Sequence, residues 1–180
     1  MSGDANNECM PTLANRVYDA AHLTGTFTLR SGQQSSEYFD KYRFEADPVL
    51  LRDIAEALAP LVPDGIDALA GLEMGGIPIA TALSMVTGIP ARFVRKEAKT
   101  YGTCLLAEGG DIEGKRLLVV EDVVSTGGQV LLSTADLRER GAKVDTVLCV
   151  IDRRPDGTDV FAAEDLELRA LFRMSDLTPS

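Results

Sequence analysis

Apolar and polar positions alternate along the chain in a pattern that predicts strands and helices in turn. Apolar runs as short as buried strands occur at residues 68–72, 91–94, 115–121 and 144–151, with one further candidate at 166–172. Stretches with helical spacing separate most of these runs. This order is typical of an α/β protein with a mostly parallel central sheet flanked by helices.

Helix boundaries carry their own signals. Helices are predicted at residues 13–21, 48 to about 62, 75–86 and 127–140, and extended pieces at 27–29 and 38–42 around a turn at 31–36. Asp47 is a predicted N-cap, with Pro48 at the first helical position, and Gly141 ends the last helix. Residues 96–114 contain four glycines and show no clear periodicity.

The length of the chain and its first residues indicate how many domains to expect. The 180 residues fit one domain, predicted at 11–180, and the polar residues 1–10 are predicted to form a flexible tail. No apolar run has the roughly 18 to 20 residues of a membrane span, and the first residues lack the order of a secretion signal. We therefore expect no membrane partner and a cytoplasmic location.

Charge and metal-ligand residues exclude two function classes. The net charge of −10 would repel nucleic acid, so no nucleic-acid partner is expected. One histidine and three separated cysteines, including Cys104, argue against a zinc site. Against this acidic background, a basic cluster predicts a local anion site: Arg92, Arg95, Lys96 and Lys99.

The segment from Val119 to Gln129 carries the most specific chemistry. A buried strand ends in two carboxylates, Glu121 and Asp122, and then come two hydroxyl residues and two glycines that begin a helix. Small residues at a helix N-terminus allow backbone N–H groups to approach a phosphate, and carboxylates suit sugar hydroxyls. The segment predicts a site for a phosphorylated sugar. The alternative is an ordinary strand-to-helix turn with capping hydroxyls.

This segment resembles the ribose-phosphate motif of type I phosphoribosyltransferases, which bind phosphoribosyl pyrophosphate (PRPP). The resemblance implies the type I phosphoribosyltransferase fold. It also implies a small hood formed by about residues 11–45 together with a C-terminal segment. It also implies that Glu121 and Asp122 hold the ribose and are catalytic. The residues implied to hold PRPP in the following loop are Val123, Val124, Ser125, Thr126, Gly127, Gly128 and Gln129.

Other segments resemble the orotate phosphoribosyltransferases in that family's order, over residues 24–154. Residues 95–99 and Gly102 resemble the mobile lid, so Arg95, Lys96, Lys99 and Tyr101 are implied to bind PRPP, with Lys99 catalytic. Residues 71–78 resemble the pyrophosphate loop. The residues implied to bind orotate are Arg153 and Ser125, with Arg30, Tyr38 and Phe39 as further candidates. The alternative for the lid is a solvated basic stretch, although its flanking glycines and its place between two strands favour a lid. Taken alone, Arg153 or Arg154 could equally be a surface residue.

Two departures from the family pattern affect the chemistry. Tyr101 stands where many relatives have a lid histidine, and a phenol does not titrate near neutral pH. Met74 and Gly75 stand where bacterial relatives often have Tyr-Lys, so the pyrophosphate loop has one cation fewer. More of the charge neutralisation then falls to the lid and to magnesium.

The resemblance implies transfer of the 5-phosphoribosyl group from PRPP to orotate. Mg²⁺ would arrive bound to PRPP, without direct protein ligands. A homodimer is implied, in which the lid of one subunit serves its neighbour's site. Two alternatives stay open: a purine or uracil phosphoribosyltransferase, and a non-catalytic regulator that senses PRPP.

Overall fold

The computed structural model describes residues 11–28, 32–97, 105–155, 157 and 159–177. It has five helices: α1 (Leu13–Ala21), α2 (Tyr42–Ala46), α3 (Pro48–Leu58), α4 (Gly76–Thr87) and α5 (Gly128–Glu139). Its strands are β1 (His22–Thr28), β2 (Gln34–Phe39), β3 (Ala68–Leu72), β4 (Ala91–Val94), β5 (Ala107–Glu108), β6 (Arg116–Val124), β7 (Lys143–Asp152) and β8 (Glu167–Arg173). None of the helices described is long and apolar enough to cross a membrane.

Six strands form the central sheet in the order β5-β4-β3-β6-β7-β8. All neighbours are parallel except β4 and β5, which are antiparallel. Helices α1, α3 and α4 cover one face of the sheet, and α5 covers the other. The predicted α/β architecture with a mostly parallel, two-faced sheet is confirmed.

The helix α4 lies unusually close to the sheet. A Cβ atom at Gly71 would lie 2.6 Å from the carbonyl oxygen of Gly76, and a Cβ atom at Gly76 would collide with the carbonyl of Val120. Only glycine allows this approach of a helix to the backbone of β3 and β6. The start of α4 is thereby held beside the carboxyl end of β6.

The N-terminal segment packs on the helical face that contains α3 and α4. Its strands β1 and β2 form an antiparallel hairpin outside the central sheet. The side chains of Val17, Ala21 and Phe44 are buried in the same core cluster as Leu177 near the C-terminus. The hood predicted for about residues 11–45 therefore shares its core with the sheet, and its division from the rest of the domain stays a prediction.

The structure corrects three details of the predicted elements. Strand β6 continues to Val124 and so includes the two carboxylates, because β7 pairs with it as far as Asp152. Residues 96–114, which show no periodicity, contain the strand β5. Two residues are too few to produce a recognisable strand pattern in the sequence. Tyr42 begins a helix and does not end an extended piece. The N-cap at Asp47 is confirmed, since its carboxylate accepts from the N–H groups of Val49 and Leu50.

Candidate active site

The candidate site lies at the carboxyl edge of the parallel strands, where ligands bind in open α/β sheets. Four connections leave the sheet there, after β3, β4, β6 and β7. They contain the predicted pyrophosphate loop, the start of the predicted lid, the phosphate loop and Arg153. The fold therefore brings together segments that are far apart in the sequence.

The phosphate loop between β6 and α5 is open to solvent. Ser125 and Thr126 are exposed, and among the described side chains none caps the start of α5. Gly127 has a φ of 83°, and a Cβ there would lie 2.9 Å from the ring of Phe161. The capping alternative is thus wrong, and the helix start presents its N–H groups outward, as an anion site requires.

The other predicted loop residues differ in their environment. Gly128 and Gln129 are exposed at the first turn of α5. Val123 is half-buried and lines a cavity beside the loop. Val124 is 1% exposed and its side chain lies in the core, so the prediction that it contacts PRPP can hold only for its backbone.

Asp122 is entirely buried at the end of β6. Its Oδ1 atom accepts a hydrogen bond from the backbone N–H of Val123 at 2.6 Å. Its Oδ2 atom forms an ion pair with Nζ of Lys41 at 2.5 Å. Burial lowers the pKa of Lys41, but the hydrogen bond and the charge of Asp122 outweigh it and raise the pKa overall. Without ligand, Asp122 is therefore held by protein groups.

A second buried carboxyl group, Glu45 of α2, lies beside Asp122. Glu45 is 6% exposed, and no donor among the described residues reaches its Oε1 atom. Burial, followed by the hydrogen bond and the negative charge of Asp122, raises the pKa of Glu45 to about 9. Glu45 is therefore protonated at neutral pH.

Glu121 faces a different environment from Asp122. Its Oε2 atom is buried and has no hydrogen-bond partner within the described part of the chain. Burial and then the charge of Asp122 raise the pKa of Glu121 to about 8, while Lys41 and Lys96 act in the opposite direction. Each of the two acids thus has an oxygen without a hydrogen-bond donor among the described residues: Oε2 of Glu121, and Oδ2 of Asp122, which forms the ion pair with Lys41.

Arg153 follows β7 and points into the same region. Its guanidinium lies 5.8 Å from the centre of the Phe39 ring, and no described carboxylate pairs with it. A cavity of about 440 Å³ is lined by Arg153, Ser125, Tyr38 and Phe39, together with Asp40, Lys41, Tyr42 and Val123. The structure thus brings together the residues predicted for the base and those predicted for the phosphate.

The neighbouring Arg154 has a structural role. It forms two hydrogen bonds of 3.0 Å with the carboxylate of Asp152, and its guanidinium lies 4.9 Å from the centre of the Phe161 ring. Phe161 in turn packs against Gly127. Of the two adjacent arginines, only Arg153 faces the cavity.

The basic cluster divides in the structure. The backbone N–H of Lys96 donates to the carboxylate of Glu73 at 3.1 Å, and Arg95 pairs with Glu108 at 3.4 Å. Arg92 hydrogen-bonds to backbone carbonyls at the other end of β4, away from the site. The predictions for Arg30, Lys99, Tyr101 and Cys104 lie outside the described residues.

Two residues of this site are not among the sequence predictions: Lys41 and Glu45. A signal for them exists, because Lys41 is one of only five lysines and lies four residues before Glu45, a helical spacing. The helix that contains Glu45 and follows Lys41 has five residues, which is too short for a periodic pattern.

Comparison with known proteins gives this arrangement a family. A family model described as the phosphoribosyl transferase domain matches residues 43–168. An orotate phosphoribosyltransferase from a Nocardioides species is 54% identical over 92% of this chain and 93% of its own. One from Methanocella arvoryzae is 44% identical over 85% of this chain and 87% of its own. The chain belongs to the orotate phosphoribosyltransferase family.

Solved structures of the family have the same fold. The orotate phosphoribosyltransferase of Mycobacterium tuberculosis superposes with a TM-score of 0.82 and 33% identity, covering 92% of this chain and 96% of that one. That enzyme has also been solved in complex with PRPP, with a TM-score of 0.77, 30% identity and the same two coverages. The type I phosphoribosyltransferase fold is thereby confirmed.

The raised pKa values of Glu45 and Glu121 predict that the ligand-free protein loses stability as pH rises. The folded protein keeps protons that the unfolded chain releases above its ordinary value of 4.5, so this stability is lost as pH passes through about 8 and 9. We expect the Tm to fall between pH 5 and about 9. Thermal scans of Glu45→Gln should show a shallower slope, whereas the exposed-site control Glu139→Gln should match wild type. A pH-independent Tm would contradict the assignment.

Proposed function

We propose that the protein transfers the 5-phosphoribosyl group of PRPP to N1 of orotate, which gives orotidine 5′-phosphate and pyrophosphate. This is the step that forms the nucleotide in UMP synthesis. The observation that carries the proposal is the cavity shared by Ser125 of the phosphate loop, Arg153 and the ring of Phe39. It combines an anion-binding loop with a planar cation for a carboxylate and an aromatic face for a planar base.

In the reaction, the bond from C1 of the ribose to pyrophosphate breaks and the bond to N1 of orotate forms. Positive charge develops on the ribose in the transition state, so the protein acts by positioning, by excluding water and by stabilising charge. Ser125 to Gln129 hold the 5′-phosphate, and Glu121 and Asp122 hold the ribose hydroxyls. Arg153 offers two parallel N–H groups to the orotate carboxylate.

Mg²⁺ is proposed to enter bound to PRPP. Phosphate oxygens are hard ligands suited to this ion. The ammonium of Lys41 on Oδ2 of Asp122 disfavours a second cation there, whereas that oxygen can still accept a hydrogen bond from a ribose hydroxyl. The residues that meet the metal-bound substrate are therefore those that bind its phosphates and hydroxyls.

A homodimer in which each lid serves the neighbouring site fits the surface near the lid. Met74 and Phe93 are 58% and 36% exposed and line a cleft of about 320 Å³ with Arg95 and Glu108. On α4, Met85 is 85% exposed. Large apolar side chains exposed at this cleft and on α4 favour an interface between subunits. A cytoplasmic location stays a prediction.

The alternatives differ at Arg153. A purine or uracil phosphoribosyltransferase needs the phosphate loop but no cation for a base carboxylate. A regulator that senses PRPP without catalysis needs a site for PRPP but no adjoining site for a base. Arg153 without a described carboxylate partner beside Ser125 favours orotate over both.

The direct test measures pyrophosphate release from PRPP and Mg²⁺ with orotate, uracil, adenine, guanine or hypoxanthine. We expect turnover with orotate alone, and loss of turnover when EDTA removes the metal. Turnover with a purine in place of orotate would overturn the substrate assignment. If none of these bases supports pyrophosphate release and the protein binds DNA in a gel shift, the regulator is favoured.

Arg153→Ala should raise the KM for orotate about 10- to 100-fold, because a carboxylate loses a bidentate partner. The KM for PRPP should change far less. Steady-state kinetics in both substrates check this, with Arg52→Ala on the exposed surface of α3 as the control. Equal changes in both KM values would indicate that Arg153 supports the site as a whole.

Two impaired variants, Lys99→Ala and Arg153→Ala, test whether the lid acts in trans when they are assayed at an orotate concentration far below the raised KM of Arg153→Ala. If it does, a mixed dimer has one site with both lesions and one intact site. Subunit exchange should then restore about a quarter of wild-type activity, since half of randomly mixed dimers are hybrids. Activity that stays at the level of the separate variants after exchange would show that each lid serves its own subunit.

A further inference from the structure

The carboxylate of Asp122 is reached by a lysine from a distant part of the chain. Lys41 precedes α2, and its side chain is 31% exposed while that of Asp122 is fully buried. The ammonium therefore lies between the buried carboxylate and the cavity that Lys41 also lines with Ser125 and Arg153. A cation in this position contacts both the interior and the substrate space.

Glu45, one helical turn after Lys41, approaches Asp122 from the same helix. The site of a Cβ at Gly75 would overlap Oδ2 of Asp122 and would lie 3.0 Å from Oε1 of Glu45. Two carboxyl oxygens thus converge on one point, and Lys41 is the cation there. Two ionised carboxylates so close together repel each other, so a proton on one of them favours the arrangement.

Gly75 makes room for this group. The two oxygens occupy the space into which any larger residue would extend its side chain. Because Gly75 belongs to the connection after β3, the orientation of Asp122 is coupled to the backbone of the segment that resembles the pyrophosphate loop. Lys41, Glu45 and Gly75 form a buried contact unit around a carboxylate assigned to the ribose.

We propose that Lys41 and Glu45 are positioning residues for the reaction: they hold the Asp122 carboxylate in the orientation in which it meets the ribose of PRPP. The proposal rests on the function proposed above. It assigns a role in phosphoribosyl binding to Lys41 and α2, which lie between the segments that the sequence predicts to bind substrate.

The ammonium and the protonated acid have separate tasks. Lys41 neutralises Asp122, whose charge would otherwise be buried without a counter-charge. Protonated Glu45 can donate a hydrogen bond to Asp122 and adds no further negative charge. If Glu45 ionised, its carboxylate would repel that of Asp122 and compete with it for Lys41. The orientation of Asp122 would then be lost.

Kinetics of three variants test the role of Lys41. Lys41→Gln should raise the KM for PRPP about tenfold or more, with a much smaller change in the KM for orotate. Lys41→Arg should restore much of the loss, since it keeps the charge. Lys115→Gln, an exposed lysine far from the site, is the matched control. Thermal unfolding of each variant separates a misfolded protein from a folded one with poor PRPP binding.

The pH profile tests Glu45 independently. In wild type the KM for PRPP should rise as pH passes about 9, where Glu45 loses its proton. The charged and titratable groups around it are Lys41 and Tyr42 near α2, and Glu121 and Asp122 on β6. From α1 and α3, the pair Arg16–Asp53 is internally neutralised at 2.7 Å. Glu45→Gln cannot ionise at this position, so its KM should lack the rise near pH 9 and keep only the change near pH 8 that Glu121 produces in both proteins.

The outcomes separate this inference from the proposed function. If wild type shows no transfer to orotate, the function fails. If wild type is active and Lys41→Gln has the PRPP KM of Lys115→Gln, the positioning role fails alone. Equal rises in both substrate KM values, or a Glu45→Gln profile parallel to wild type, would also overturn it.

Discussion

The ion pair between Lys41 and Asp122 is the interaction on which the site is built. The central strand β6 ends in carboxylates, and a buried carboxylate without a partner would cost several kcal/mol. Lys41 removes that cost for Asp122 from one side, while a protonated Glu45 avoids adding to it from the same helix. The N-terminal segment is therefore part of the active-site wall, although it lies outside the central sheet.

Close backbone packing places the rest of the site around this pair. Gly71 and Gly76 let α4 lie against β3 and β6, which brings Gly75 beside Asp122. The connection after β3 and the end of β6 are then neighbours, as a site that holds the pyrophosphate and the ribose of one PRPP molecule requires. The two carboxylates differ in their partners: Lys41 pairs with Oδ2 of Asp122, whereas Oε2 of Glu121 has no hydrogen-bond partner among the described residues.

The sequence predicts the parts of this structure that depend on local pattern. Apolar runs and caps place β3, β4, α4 and the start of α3 within a residue or two, and the Val119–Gln129 segment predicts the phosphate loop. Features that depend on pairing between distant segments escape it: β5 exists only through its pairing with β4, and β6 reaches Val124 only because β7 continues beside it. The roles of Lys41 and Glu45 escape for the same reason, since they follow from packing of α2 against the end of β6.

The structural arginine, Arg154, has a further consequence. A chain of contacts runs from Asp152 through Arg154 and Phe161 to Gly127, and so ties the strand that presents Arg153 to the phosphate loop. This chain of contacts sets the separation between Arg153 and the phosphate loop. With the proposed roles of these two points, the cleft selects molecules by the distance between a phosphate at one end and a carboxylate at the other. A nucleotide that carries both anions at the right span engages both points at once, and one that carries a single anion engages only one.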